Sequence, residues 1–359
     1  MTGLTEMSEM TGMIEAIVPI DLARRPWRLL RRLRLQQIRA TVSGLTLLVG
    51  HNDRGTAADA MLKRFCRREQ VRIVSGAFYD GHVNNARLRN EAMRAVRAPW
   101  TLLLDADVLI EHETIMRMHA ALDDKQPFCI APCLYLSARG SRILLKGYAT
   151  QRSLLARYWS FERMPFLHLA IPSSVALFAT VDFARVGGFD ERFSGHGYED
   201  LDFLLRLALL HDLAPRTSAL LCDRSTRAPL LCTGFRAWLA RLALPLLLTE
   251  SIPVHLWHAT ATDRYYEMRA ANAAYFFGKL RAIVGDNGVD EAIEEAAEAN
   301  EADMPFPDTA FISFWMALCR THGLAAERYT ILFEHRPGHV DRDRRLSAIL
   351  ATHWARIFY

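Results

Sequence analysis

Apolar positions along this chain fall into short continuous runs separated by longer stretches with a helical period, the pattern of strands alternating with helices. Residues 1–20 show little periodicity and read as a loose start. Between 21 and 40, Arg24, Arg25, Arg28, Arg31, Arg32, Arg34 and Arg39 interleave with Trp27, Leu29, Leu30, Leu33 and Ile38. With Pro26 in the first turn, this predicts a basic amphipathic helix. Leu45–Val49 reads as the first strand, followed by a loop at Gly50–Gly55 and a helix to about Phe65. Val71–Ser75 is the second strand, Asp80-Gly81 a turn, and Asn84–Val96 a helix. Thr101–Leu104 then reads as a buried strand running straight into Asp105-Ala-Asp107.

Glu111–Leu122 predicts a helix, and Phe128–Leu136 a strand that Pro132 restricts to an edge or a bulge. The stretch 137–171 mixes aromatic and basic residues and resists assignment. Val175–Thr180 is a further strand, Leu201–Leu210 and Tyr265–Ile283 are helices, and Val289–Asn300 is an acidic helix. The strand–helix succession predicts an α/β fold with a mostly parallel, doubly wound sheet. The expected division is an N-terminal arm (1–44), a catalytic domain (45–285) and a helical C-terminal appendage (286–359).

Composition narrows the class. The chain has 359 residues, 51% hydrophobic and 23% charged, which is ample for a globular core. Six cysteines without a C-x-x-C pair predict reduced thiols in a cytosolic protein rather than a zinc cluster. A net charge of +4 does not point to nucleic acid. No secretory signal is visible, and the most apolar run, Pro229–Leu248, is interrupted by Arg236 and Arg241, so no spanning helix is expected. The arginine-rich segment has two readings: its leucines pack on the main domain, or Arg24–Arg39 makes peripheral contact with an anionic membrane, at about 1 kcal/mol per basic residue.

Candidate chemistry sits in three stretches. Asp105 and Asp107 follow a buried strand, where ligands of open α/β sheets bind, and are hard ligands suited to Mn²⁺ or Mg²⁺. Glu199 and Asp200 open a helix after a glycine-rich loop (Gly187, Gly188, Gly195, Gly197), where the helix dipole favours their ionised form. A carboxylate held there can accept a proton from an incoming hydroxyl. His255 and His258 are three apart and offer imidazole to a metal. His335 and His339 flank a helix-breaking Pro337-Gly338 and are discounted.

These three stretches and the helix at Asn84–Asn90 together resemble an inverting GT-A glycosyltransferase, and most closely the β-galactosyltransferase and bacterial polysaccharide branch. Asn84-Asn-Ala-Arg-Leu-Arg-Asn90 resembles that family's N-R-A-K-L-L-N helix, and Asp105-Ala-Asp107 its D-V-D metal site. Gly195-His-Gly-Tyr-Glu-Asp-Leu-Asp202 resembles the acceptor loop G-W-G-G-E-D-D-D, and His255-Leu-Trp-His258 falls where the family has M-x-x-H. The family's nucleotide loop P-F-R-N-R is matched to Gly50-His-Asn-Asp-Arg54, with only Arg54 identical; Tyr198 replaces a glycine. The resemblance implies a GT-A fold and metal-dependent, inverting transfer of a hexose from a UDP-sugar to a glycan acceptor, in surface polysaccharide synthesis. It implies Mn²⁺ (or Mg²⁺) on Asp107, Asp105, His258 and His255, with Asp200 as base and Glu199 orienting the acceptor. Arg54, Asp53, Asp80, Arg89, Asn90, Gly197, Tyr198 and Trp257 become candidate substrate contacts. The rivals are a nucleotidyltransferase and a non-catalytic glycan-binding protein on the same fold.

Overall fold

A computed structural model describes residues 12–221, 223, 232–247, 249, 252–259, 265–285 and positions 316, 317, 319, 320 and 323. Apart from those last five positions, the expected appendage, with the acidic segment 289–300 and the pair His335 and His339, lies outside the described residues. The strands are β1 (Ile14–Asp21), β2 (Thr46–Asn52), β3 (Arg72–Gly76), β4 (Trp100–Leu103), β5 (Val108–Leu109), β6 (Phe128–Ile130), β7 (Cys133–Leu136), β8 (Phe166–Ala170), β9 (Ala176–Ala179) and β10 (Val254–His255). The helices are α1 (Pro26–Ser43), α2 (Ala57–Arg68), α3 (Asn85–Met93), α4 (His112–Ala120), α5 (Ala138–Leu145), α6 (Gln151–Trp159), α7 (Thr180–Arg185), α8 (Glu199–Leu210), α9 (Gly234–Leu247) and α10 (Arg269–Val284).

The main sheet has the order β3-β2-β1-β4-β9-β6. Its first four strands are parallel, and β9 and β6 add antiparallel pairings. The expected α/β, mostly parallel, doubly wound arrangement is therefore observed. Alternate residues feed two cores: Ile17, Leu48 and Leu103 on one face, Val18, Val49 and Leu102 on the other.

The structure corrects the reading of the N-terminus. Residues 14–21 are not a loose start but a strand at the centre of the sheet, buried at all eight positions. Glu15 and Asp21 had disguised it as polar. Glu15 is 5% exposed, pairs with the Arg72 guanidinium and accepts from the backbone N–H of Arg97 at 2.6 Å. Pro19 lies past the last β1–β4 pairing, Ile17 with Leu103, so its missing N–H costs that ladder nothing.

Phe128–Leu136 is likewise not one strand. Around Pro132 it divides into β6, at the edge of the main sheet, and β7, inside a second sheet of order β5-β10-β7-β8. The uncharted stretch 137–171 supplies α5, α6 and β8. Gly50 is needed where α3 crosses β2, because a Cβ there would lie 2.2 Å from the Leu88 carbonyl oxygen. Cys66, Cys129, Cys133, Cys232 and Cys319 are buried free thiols. Among the described residues, no helix is long and apolar enough to cross a membrane.

Candidate active site

Strand order locates the site. The chain winds outward from β1 through β2 to β3, then returns to lay β4 on the other side of β1. The switch point at which such sheets bind ligands therefore lies between the carboxyl ends of β1 and β4. A cavity of about 580 Å³ opens there, lined by Pro19 and Asp21 from β1 and by Asp105 and Asp107 after β4.

The second sheet brings the histidines in. β5 continues directly from Asp107 and pairs antiparallel with β10, so Val108 lies opposite His255. The Leu256 N–H donates to the Asp107 carbonyl at 2.8 Å. As a result Asp107, His255 and His258 each present a ligand atom within 4.8 Å of one another. The Asp107 carboxylate is buried, with His258 Nε2 3.8 Å away, and its Oδ1 accepts no hydrogen bond. A buried carboxylate oxygen that accepts no hydrogen bond, beside two imidazoles, fits a divalent transition ion such as Mn²⁺. Burial raises the Asp107 pKa, against the pull of His258, Arg32 and Arg25. Burial and then His258 lower His255 to about 3, which keeps its imidazole neutral as a ligand must be. His258 is lowered by burial as well.

Asp105 differs from its neighbour. Its Oδ1 accepts from Arg89 Nη2 and its Oδ2 from the Ser174 hydroxyl, both at 2.9 Å. Both of its oxygens thus accept hydrogen bonds, and the side chains close enough to share an ion are Asp107 and the two histidines. Arg89 is 2% exposed and also lies 3.5 Å from Glu199, so one buried guanidinium neutralises both walls of the cavity.

Glu199 and Asp200 open α8 from the opposite side. Their loop is tied down by Asn272 Nδ2, which donates to the carbonyls of Ser194, His196 and Gly197. Tyr198, where the resembled family has glycine, takes φ 76° at the helix N-cap, and its ring packs on Phe276 at 5.2 Å. Burial, then Asp200, pushes Glu199 up to about 7. Asp200 is raised by burial and held back by Arg89. Asp202, the last acidic residue of the motif, points elsewhere and pairs with Arg206 at 2.7 Å.

Of the expected substrate contacts, Arg89, Asp105, Gly197, Tyr198 and Trp257 line the cavity, and Arg54, Asp53, Asp80 and Asn90 do not. Gly50–Arg54 ends β2, one strand away from the switch point. Arg54 instead grips Asp21 through Nε at 3.0 Å and Nη2 at 2.8 Å, and Asp53 pairs with Lys63 at 2.5 Å. Asp80 is exposed in its turn, and Asn90 pins the chain at Phe189 and Glu191. The segment after β1 reaches the cavity through Arg24 and Arg25.

Sequence reasoning missed the inner face of α1. Arg32 Nε lies 3.3 Å and Arg25 Nη1 3.8 Å from the Asp107 carboxylate. Gln36 Nε2 donates to the carbonyls of Asp105 at 2.7 Å and Val108 at 2.8 Å, holding the loop from behind. The signal was available: Arg25, Arg32 and Gln36 recur at helical spacing on one face. Tyr135 was missed too. It stacks on His255 at 4.2 Å and on His168 at 4.5 Å, fixing the ligand's plane.

The model of a family described as glycosyltransferase like family 2 matches residues 51–282. Similar solved structures include a mannosyltransferase from Pyrobaculum calidifontis in complex with GDP-Man and Mn²⁺ (14% identity, 89% of this chain and 85% of that one, TM-score 0.36). TarS from S. aureus (17% identity, 55% and 33%, TM-score 0.33) and the catalytic domain of Drosophila β1,4-galactosyltransferase 7 (14% identity, 54% and 59%, TM-score 0.28) are others. The chain spans about a third of TarS. No curated protein matches it.

Proposed function

Because the chain belongs to glycosyltransferase like family 2 and has the GT-A fold, we propose that it is a metal-dependent, inverting glycosyltransferase that moves a hexose from a UDP-sugar to a glycan acceptor. The observation that carries this reading is the convergence of Asp107, His255 and His258 with Glu199 and Asp200 on one cavity. An ion held by Asp107, His255 and His258 would neutralise charge growing on the departing diphosphate. Asp200 takes the proton of the attacking acceptor hydroxyl on the face opposite the leaving group, as inversion requires. Glu199, which titrates near neutrality, orients the acceptor by hydrogen bonds. Arg89 keeps Asp105 and Glu199 compatible in one buried space.

On this reading the enzyme works in the cytoplasm at the inner face of a membrane, in surface polysaccharide synthesis. Trp27, Ile38 and Val42 on the exposed side of α1, with Arg31 and Arg34 among them, support peripheral contact. Sedimentation with anionic but not neutral vesicles tests that contact.

The activity is tested by offering a panel of UDP-sugars to the wild type and to Asp200→Asn. One donor should be consumed, and the variant should lose about 10²–10⁴-fold in transfer while still binding UDP. A panel in which no donor reacts, or an Asp200→Asn enzyme as fast as wild type, would sink the proposal.

A further inference from the structure

Asp107 already has counter-ions before any metal arrives. Arg32 and Arg25 both approach its carboxylate, at 3.3 and 3.8 Å, and Asp105 is separately neutralised by Arg89 at 2.9 Å. Imidazole ligands coordinate as neutral groups and add no negative charge. The Asp107 carboxylate thus faces two guanidiniums of its own, and a divalent cation entering alone would face an excess of positive charge there. The arginines are also under-used as donors. Nε and Nη1 of Arg25, and Nη1 of the neighbouring Arg28, are buried without a hydrogen-bond partner. Arg25 is held at φ 48° at the N-cap of α1, a left-handed backbone that is strained for a non-glycine residue. That conformation aims its side chain into the cavity, of which it is a lining residue.

From this charge balance we infer that Arg25 and Arg32 are a built-in counter-cation for Asp107, which a diphosphate draws off, so that divalent cation and diphosphate bind cooperatively. The diphosphate's oxygens satisfy the idle guanidinium donors, which suits bidentate phosphate contacts. Asp107, relieved of its arginines, is then free to hold the cation. Each ligand alone binds against a cost that the other removes, and the coupling must be reciprocal. Arg25 and Arg32 therefore act on the metal through Asp107 as positioning residues. This inference rests on the metal site proposed above and adds an order of assembly to it.

The test is calorimetric, on metal-stripped full-length protein, with Mn²⁺ alone, inorganic pyrophosphate alone and Mn²⁺ with pyrophosphate, corrected for the complex formed in solution. In the wild type each ligand should tighten the other at least tenfold, the scale expected for charges a few ångströms apart in a partly buried site. Arg25→Gln, at a partly exposed position that should still fold, should tighten Mn²⁺ alone several-fold, weaken pyrophosphate alone and shrink the coupling. Arg25→Lys should restore much of the coupling. These opposite shifts are not expected from a general loosening of the site. Affinities for Mn²⁺ and pyrophosphate that stay unchanged in Arg25→Gln, or that both shift the same way, would overturn the inference and leave the metal site standing. If Mn²⁺ fails to bind even with pyrophosphate, or binds Asp107→Ala as well as wild type, the metal site itself is overturned and the inference with it.

Discussion

Replacing Glu199 by glutamine should change how stability depends on pH. The Glu199 carboxyl is 7% exposed, next to Asp200, with Asn85 Nδ2 at 3.4 Å and Arg89 Nη1 at 3.5 Å. Burial first, then Asp200, moves it from 4.5 up to about 7 against the pull of Arg89. Between those values the unfolded chain gives up the Glu199 proton while the native protein keeps it. Native stability therefore falls as pH rises, by about 1.4 kcal/mol per pH unit and about 3 kcal/mol in total. The favourable contribution is complete below pH 4.5 and lost above about 7. Glutamine keeps the shape and can still accept from Asn85, but it does not titrate. Calorimetric melting of metal-free protein from pH 5 to 8 should show the variant's midpoint rising relative to wild type by roughly 5 °C, at about 2 °C per kcal/mol. Midpoints that stay parallel across this range would refute the buried, proton-holding carboxyl.

Substitutions at three further positions test the scaffold around the site. Arg89→Met leaves Asp105 and Glu199 facing each other in a buried space without a counter-charge, so urea unfolding should report a loss of about 3–5 kcal/mol; a loss below 1 kcal/mol would contradict the neutralising role. Tyr198→Gly should be more stable than Tyr198→Ala by about 1 kcal/mol, since glycine accepts φ 76° freely and alanine does not. Thermal melts giving alanine the advantage would argue against that backbone. Gly50→Ala drives a Cβ to 2.2 Å from the Leu88 carbonyl oxygen and should cost about 3 kcal/mol or more, or yield no folded protein; an unchanged melting midpoint would show that α3 can move off β2.

The strands legible in the sequence were those with clean apolar runs. Leu45–Val49, Val71–Ser75, Thr101–Leu104 and Val175–Thr180 correspond to β2, β3, β4 and β9 within one to three residues at each end. β1 escaped because the groups that make Glu15 tolerable inside the sheet, Arg72 and the Arg97 N–H, are distant in sequence. β5 and β10, two residues each, are too short to carry any period. The acidic and histidine members of the site were legible because each lies in a compact motif. Missing β1 also left Gly50–Arg54, at the end of β2, as the expected nucleotide loop, although Arg54 and Asp53 lie outside the cavity that Asp21, Arg24 and Arg25 line. The inward arginines of α1 stayed hidden for another reason. A basic helix face is usually solvated, and only the fold brings Arg32 against an aspartate so far along the chain.

The central claim is that Asp107, with His255 and His258, holds a metal that serves a nucleotide-sugar donor. Calorimetric titration of UDP into wild type and Asp107→Ala, each with and without Mn²⁺, addresses it most directly. The account predicts that Mn²⁺ tightens UDP at least tenfold in the wild type and leaves its affinity for Asp107→Ala nearly unchanged. UDP that fails to bind wild type in the presence of Mn²⁺, or a Mn²⁺ effect that survives in Asp107→Ala, would contradict it.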